Sequence, residues 1–251
     1  MRGMLTPVAG DCVLPQPSSY FQFEDAGPNG FETTSPTIGN VGLVQYWNPS
    51  LANVPQSVAG AYAGTQAADF DNNSLKFLTT KSVNGPETDV TFGRFTGATS
   101  FTIAVRIKPT TLRNQVFAAV HTSTTDLQWT LISFANGLLQ FRVSTDGSTS
   151  LNATTGNKVI VPGTWHWLVG SFNAATGTVN CWIDGERTGS YSAPTDASYI
   201  GNLFQSATAY LRIGKGRSDA CDCAISDFLI YESAFDDCIV KKLAAKTGSV
   251  V

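Results

Sequence analysis

The chain has 251 residues, 14% of them charged and 42% hydrophobic, with 23 glycines and a net charge of −3. That length accommodates one all-β domain with a substantial core, and the mixture of Gly, Ser, Thr and Asn excludes a coiled coil or a charge-driven disordered chain. With no basic run and no apolar stretch approaching the ~20 residues of a membrane helix, neither nucleic-acid binding nor membrane insertion is expected.

Residues 1–19 hold three prolines and no periodicity, which predicts an extended arm or strap ahead of one domain over 20–251. Met1–Val8 has no continuous apolar core, so no secretory signal is read. Tyr20–Phe23 is a short strand, and 24–66 is loop-rich and expected to wrap the domain. Phe101–Pro109 is the clearest strand: Phe101, Ile103, Val105 and Ile107 share one face, Thr102, Ala104, Arg106 and Lys108 the other. A hairpin over 129–144 turns at Ala135-Asn136-Gly137, with Leu139, Phe141 and Val143 on one face and Gln140, Arg142 and Ser144 on the other. Trp165–Phe172 is apolar on both faces and reads as a central strand. Val179–Ile183 follows the turn at 174–177 and ends at Asp184-Gly185, and Tyr210–Gly214 and Ala224–Tyr231 supply the last strands. One helix is expected near the end, capped by Ser233, with Phe235, Ile239 and Leu243 on one stripe and Gly248 as a stop.

The five cysteines, Cys12, Cys181, Cys221, Cys223 and Cys238, match no zinc spacing. Two readings stay open: buried free thiols in a protein made in a reducing compartment, or a Cys221–Cys238 or Cys223–Cys238 disulfide.

In order across 20–245, these segments resemble the laminin G-like family of bacterial and phage proteins, within the concanavalin A-like lectin/glucanase superfamily. Asp69–Leu75 echoes the family's early strand. Phe101–Pro109 resembles its "FTISAWVKP" strand, with Arg106 where the family has an aromatic. Trp165–Phe172 through Asp184-Gly185 resembles its Trp-His hairpin, and Leu211–Gly214, Ile225–Tyr231 and the terminal helix resemble its ending. The resemblance implies an all-β, two-sheet antiparallel jelly-roll sandwich with an N-terminal arm and one short C-terminal helix.

Glycanases of the superfamily carry acidic residues at alternating strand positions. Here Glu24-Asp25 are adjacent, Asp236-Asp237 lie on the helix, and no strand carries such a set. His121 and His166 are the only histidines and no G-x-S-x-G elbow occurs, so the chain is read as a non-enzyme. The resemblance implies one structural Ca²⁺ at Asp227, helped by Glu24 or Asp25, with Asp71 and Asn72 as a second candidate cluster. Sugar binding calls for exposed rings and planar hydrogen-bonding groups, for which Trp182, Arg106 and Arg142 are the candidates, with Trp47, Trp129, Tyr191, Tyr199 and Tyr210 behind them. The expected role is a structural or interaction protein. The first reading is a phage virion component, a capsid-decoration or tail-associated protein, that straps onto other virion or surface proteins through its arm, adheres to glycans and is able to form oligomers. It would be made in the host cytoplasm. A free-standing lectin-like module, cytoplasmic or exported without a signal, is the alternative, and a glycoside hydrolase is remote.

Overall fold

A computed structural model describes residues 12–23, 33–34, 43–45, 55–71, 78–79, 92–187, 196–206, 208–217 and 219–246. Among them the strands in chain order are β1 (Ser19–Gln22), β2 (Thr33–Thr34), β3 (Leu43–Gln45), β4 (Gln56–Ala59), β5 (Gln66–Asp71), β6 (Leu78–Thr79), β7 (Phe101–Pro109) and β8 (Gln115–Val120). They continue with β9 (Trp129–Ser133), β10 (Leu139–Ser144), β11 (Ser150–Thr154), β12 (His166–Asn173), β13 (Thr178–Ile183), β14 (Leu211–Ile213) and β15 (Asp222–Tyr231). One helix, α1 (Asp237–Ala244), follows.

The strands form two antiparallel sheets, one ordered β13-β12-β7-β15-β5-β4 with β1 also on β15, the other β11-β10-β9-β8-β14-β6-β3-β2. This is the expected jelly-roll sandwich. Phe101, Ile103, Val105 and Ile107 all lie in the inter-sheet core, fully buried, each worth roughly 1.5–3 kcal/mol of apolar burial before entropy is counted. Phe101 stacks on Phe95 with centroids 3.9 Å apart and meets Phe141 edge-on at 6.1 Å. Gly170 on β12 makes that packing possible, since a Cβ there would sit 2.4 Å from the Phe141 ring.

The first sheet has a second apolar layer on its outer face. Ala104, Trp167, Val169, Trp182, Leu229 and Tyr231 point away from the main core and are covered by Phe235 and by Val240 and Leu243 of α1. The helix starts later than its stripe suggests. Asp236, not Ser233, is its N-cap, accepting from Ile239 N–H at 2.9 Å. Asp237 in the first turn then accepts from Trp182 Nε1 at 2.7 Å and pairs with Arg187 at 2.7 Å, tying helix to sheet.

Two expectations need correcting. Cys12 and Cys238 form a disulfide across 226 residues, so the thiols are not all free, and neither of the pairings considered for Cys238 is made. The reason is geometric: Cys221 and Cys223 face the inter-sheet core, whereas Cys238 rides on the helix beyond the sheet. The arm, moreover, is not a free strap from Cys12 onward. Ser18 donates to Ile230 O from both N–H (2.8 Å) and Oγ (3.0 Å), and β1 is already paired with β15. Residues 1–11 lie outside the described residues.

Candidate binding cleft

With helix and strap on the first sheet, the outer face of the second brings polar side chains of the described residues to a hollow. Register assembles it. Arg212, Ala119, Thr130, Arg142 and Asn152 stand side by side across β14, β8, β9, β10 and β11. Val116, Ile132, Gln140 and Thr154 form the adjacent row. Trp129, Leu131, Phe141 and Val143 take the alternate positions and fill the core, which fixes the outward side of the others. Neighbours in such a row have Cβ atoms about 4.5–5.5 Å apart.

A cleft of about 220 Å³ opens on this face, lined by Val116, His121, Thr130, Ile132, Arg142, Arg217 and Asp219 among others. Arg217 and Asp219 come from a turn closed by the bridge between Lys215 and Ala220 and by Gly216 N–H to Asp219 O at 2.9 Å. Gly214 enters that turn at φ +87°, the left-handed region that favours glycine. Arg212 holds the turn in place: Nη1 donates to Gly216 O (3.0 Å), Nη2 to Tyr210 OH (2.8 Å), and the guanidinium lies 4.9 Å over the Tyr210 ring. A second hollow, again about 220 Å³, shares His121, Arg142 and Arg217 and runs on to Thr124, Gly147, Ser148 and Ser150. The basic side chains therefore sit where the two hollows meet.

Arg142 is half-buried, and its Nε donates to Gln140 Oε1, which orients the guanidinium and leaves the Nη end for a ligand. Burial lowers its pKa, opposed by the negative charge of Asp219. Burial likewise pushes His121 below the ordinary histidine value; Asp126 works against this, while Arg217 and Arg212 work with it. Thr130 Oγ1 is buried and has no hydrogen-bond partner within the protein. Asp219 is the one acidic side chain among the described lining residues.

The three residues expected to bind sugar do not share a site. Trp182 is fully buried under α1 and is a core residue, the correction following from the helix that covers its face. Arg106 lies on the same outer face of the first sheet, its guanidinium 5.7 Å from the Tyr62 centroid and 5.4 Å from that of Trp167. Only Arg142 lines the cleft. Of the other aromatics, Trp129 is in the core, Tyr199 is buried and Tyr210 supports Arg212; Trp47 and Tyr191 lie outside the described residues.

Asp227 is fully buried, accepting from Tyr20 OH at 2.6 Å and from Ser226 Oγ, with Arg106 opposite it on β7. Asp71 is exposed on β5 opposite Asp222, five positions along β15 from Asp227 and so roughly 17 Å away at ~3.4 Å per residue. Glu24, Asp25 and Asn72 lie outside the described residues, among which no three His, Cys, Asp or Glu side chains gather as a metal site. His121, Thr130, Arg217 and Asp219 were not expected in a site. For Thr130 the hairpin register carries a signal, since it falls opposite Arg142; for the turn residues none exists, because β14 reaches β8 from far along the chain.

Comparison with known proteins agrees with this architecture. A family described as the concanavalin A-like lectin/glucanases superfamily matches residues 79–241. No curated protein matches the chain. Among solved structures, the binding domain of Paraclostridial Mosquitocidal Protein 1 superposes with TM-score 0.63 at 14% identity, over 91% of this chain and 51% of its own. The binding domain of botulinum neurotoxin DC, solved with rat synaptotagmin II, gives 0.61 at 13% identity, over 92% and 52%. Domain 4 of AbnA, an extracellular arabinanase from Geobacillus stearothermophilus solved with arabinotriose, gives 0.58 at 18% identity, over 91% and 98%. The chain thus spans about half the length of the toxin binding domains and nearly all of the arabinanase domain.

Proposed function

This chain belongs to the concanavalin A-like lectin/glucanase superfamily, and from that membership we propose that it is a non-catalytic module that binds glycans on the outer face of its second sheet. The observation that carries the reading is the asymmetry of the sandwich. Part of one outer face, around Trp182, Trp167 and Tyr231, is covered by α1 and flanked by the Cys12–Cys238 strap, and the other presents a polar cleft over β8, β9 and β10. Ile132 and Val116 offer aliphatic surface to a sugar ring, and Arg142 and His121 offer donors to its hydroxyls. The arabinanase domain solved with arabinotriose and the botulinum neurotoxin DC binding domain solved with rat synaptotagmin II support a binding role by analogy of fold alone.

A structural Ca²⁺ is not part of this reading, because the Asp227 carboxylate is already committed to Tyr20 and Ser226. In the virion reading the arm would meet a neighbour ahead of Cys12, because Cys12 is bonded to Cys238 and Ser19–Gln22 pair with β15. The disulfide favours an oxidising setting for the folded protein, which a particle surface or an extracellular module would both provide. The test is an immobilised glycan panel probed with the wild type and with Arg142→Gln. Binding by the first and its loss in the second support the proposal; a silent panel contradicts it.

A further inference from the structure

We infer that the sugar this cleft takes carries a carboxylate, as sialic acids and uronic acids do; the inference rests on the glycan-binding reading above and sharpens it.

Arg142 is half-buried with its Nε given to Gln140, and Asp219, the one acidic side chain among the described lining residues, faces two arginines, Arg142 and Arg217, which leaves the cleft one positive charge in excess. The remaining Nη pair is a planar fork whose spacing matches the two oxygens of a carboxylate, which Lys would meet only as a point charge. Arg217, from the turn above, adds positive charge over the same hollow. A second, independent observation points to the same spot. Thr130 Oγ1 is buried, lines the cleft and has no partner in the protein, and it neighbours Arg142 in register. A buried hydroxyl left unpaired costs free energy, and a ligand oxygen would relieve it once the side chain turns its Oγ1, closed to water as it stands, toward the hollow. Ala119, next in the row, places only a methyl group beside Thr130. Ile132 supplies apolar surface for the ring.

Charge number follows from Asp219 on the cleft wall. One negative charge on the ligand is matched by Arg142 and Arg217 and faces a single repulsion; a multiply sulfated or phosphorylated chain would meet more.

The experiment is biolayer interferometry with sialyllactose and oligogalacturonate, each against its neutral counterpart, lactose and the methyl-esterified oligomer, with sulfated lactose as a further anion. One acidic probe should bind roughly tenfold or more tighter than its neutral counterpart, and which one identifies the source of the carboxylate. Arg142→Gln should level acid and neutral and Arg142→Lys should recover only part, both with the wild-type melting temperature, and Thr130→Val should weaken the acidic probe with a melting temperature at or above the wild type's. Equal binding of acidic and neutral probes, preference for sulfate, or an acid preference that survives Arg142→Gln would each overturn the carboxylate assignment while leaving glycan binding intact. Failure of every probe, charged and neutral alike, would overturn the glycan reading with it.

Discussion

Thr130 and Arg142 face each other across the β9–β10 ladder and line one hollow, a buried hydroxyl without a protein partner beside a half-buried guanidinium. Both depend on a core they do not touch, because Trp129, Leu131, Phe141 and Val143 hold the alternate positions inside.

The roof of that hollow depends on Arg212, which is itself out of a ligand's reach. Arg212→Ala removes the bond to Gly216 O and the stacking on Tyr210. It is expected to lower stability by about 1.5–3 kcal/mol and to weaken ligand binding by freeing the turn that carries Arg217 and Asp219. Urea unfolding and a binding titration on the same variant check both.

Trp182 separates packing from binding. Trp182→Ala should cost about 3–5 kcal/mol, as for a buried core aromatic, whereas Trp182→Phe should leave affinity at the wild-type value. A ligand-specific loss in Trp182→Phe at preserved stability would restore it as a contact residue.

Breaking the strap should act on stability alone. In the chain-entropy account, a bridge closing 226 residues stabilises by up to about 5 kcal/mol. Cys12→Ser with Cys238→Ser is expected to lower the melting temperature and to leave affinity unchanged, because the disulfide lies on the far side of the sandwich.

Acidification should tighten binding of a carboxylate sugar. His121 is held below its ordinary pKa chiefly by burial, and it faces Asp126 from the loop after β8, Arg217 and Asp219 from the turn, Arg142 from β10 and Arg212 from β14. It is neutral at pH 7 and gains its charge as pH falls through that lowered value, adding a cation to the cleft. Affinity should rise until the ligand carboxylate itself protonates. Stability moves the other way: the unfolded chain takes the proton first, near pH ~6.5, so this group's contribution falls as pH drops below that. Titration of His121→Gln, which should lack the affinity rise, is the check.

Strand alternation is enough to place Phe101, Ile103, Val105 and Ile107 in the core and to turn Arg142 outward, since period two depends only on the local backbone. It also gives Trp182 its correct face. What alternation cannot convey is which face stays open. The cover over Trp182 is a helix 55 residues later, through Asp237, and the strap comes from Cys12 at the other end of the chain. The helix start shows the same limit: Ser233 and Asp236 are both good caps, and only the bond to Ile239 N–H distinguishes them. Arg217 and Asp219 reach the cleft through pairing of β14 with β8, a contact between strands 91 positions apart at Val120 and Leu211, which no local pattern encodes.

The central claim is that the outer surface of the second sheet is where ligand sits. Amide shift mapping by NMR, with sialyllactose or oligogalacturonate titrated into the isotope-labelled protein, tests it directly. The predicted result is a cluster of shifted amides at His121, Thr130, Ile132, Arg142 and Arg217, with α1 and β13 unmoved. Shifts gathered instead around Trp182, Arg106 and α1 would contradict it.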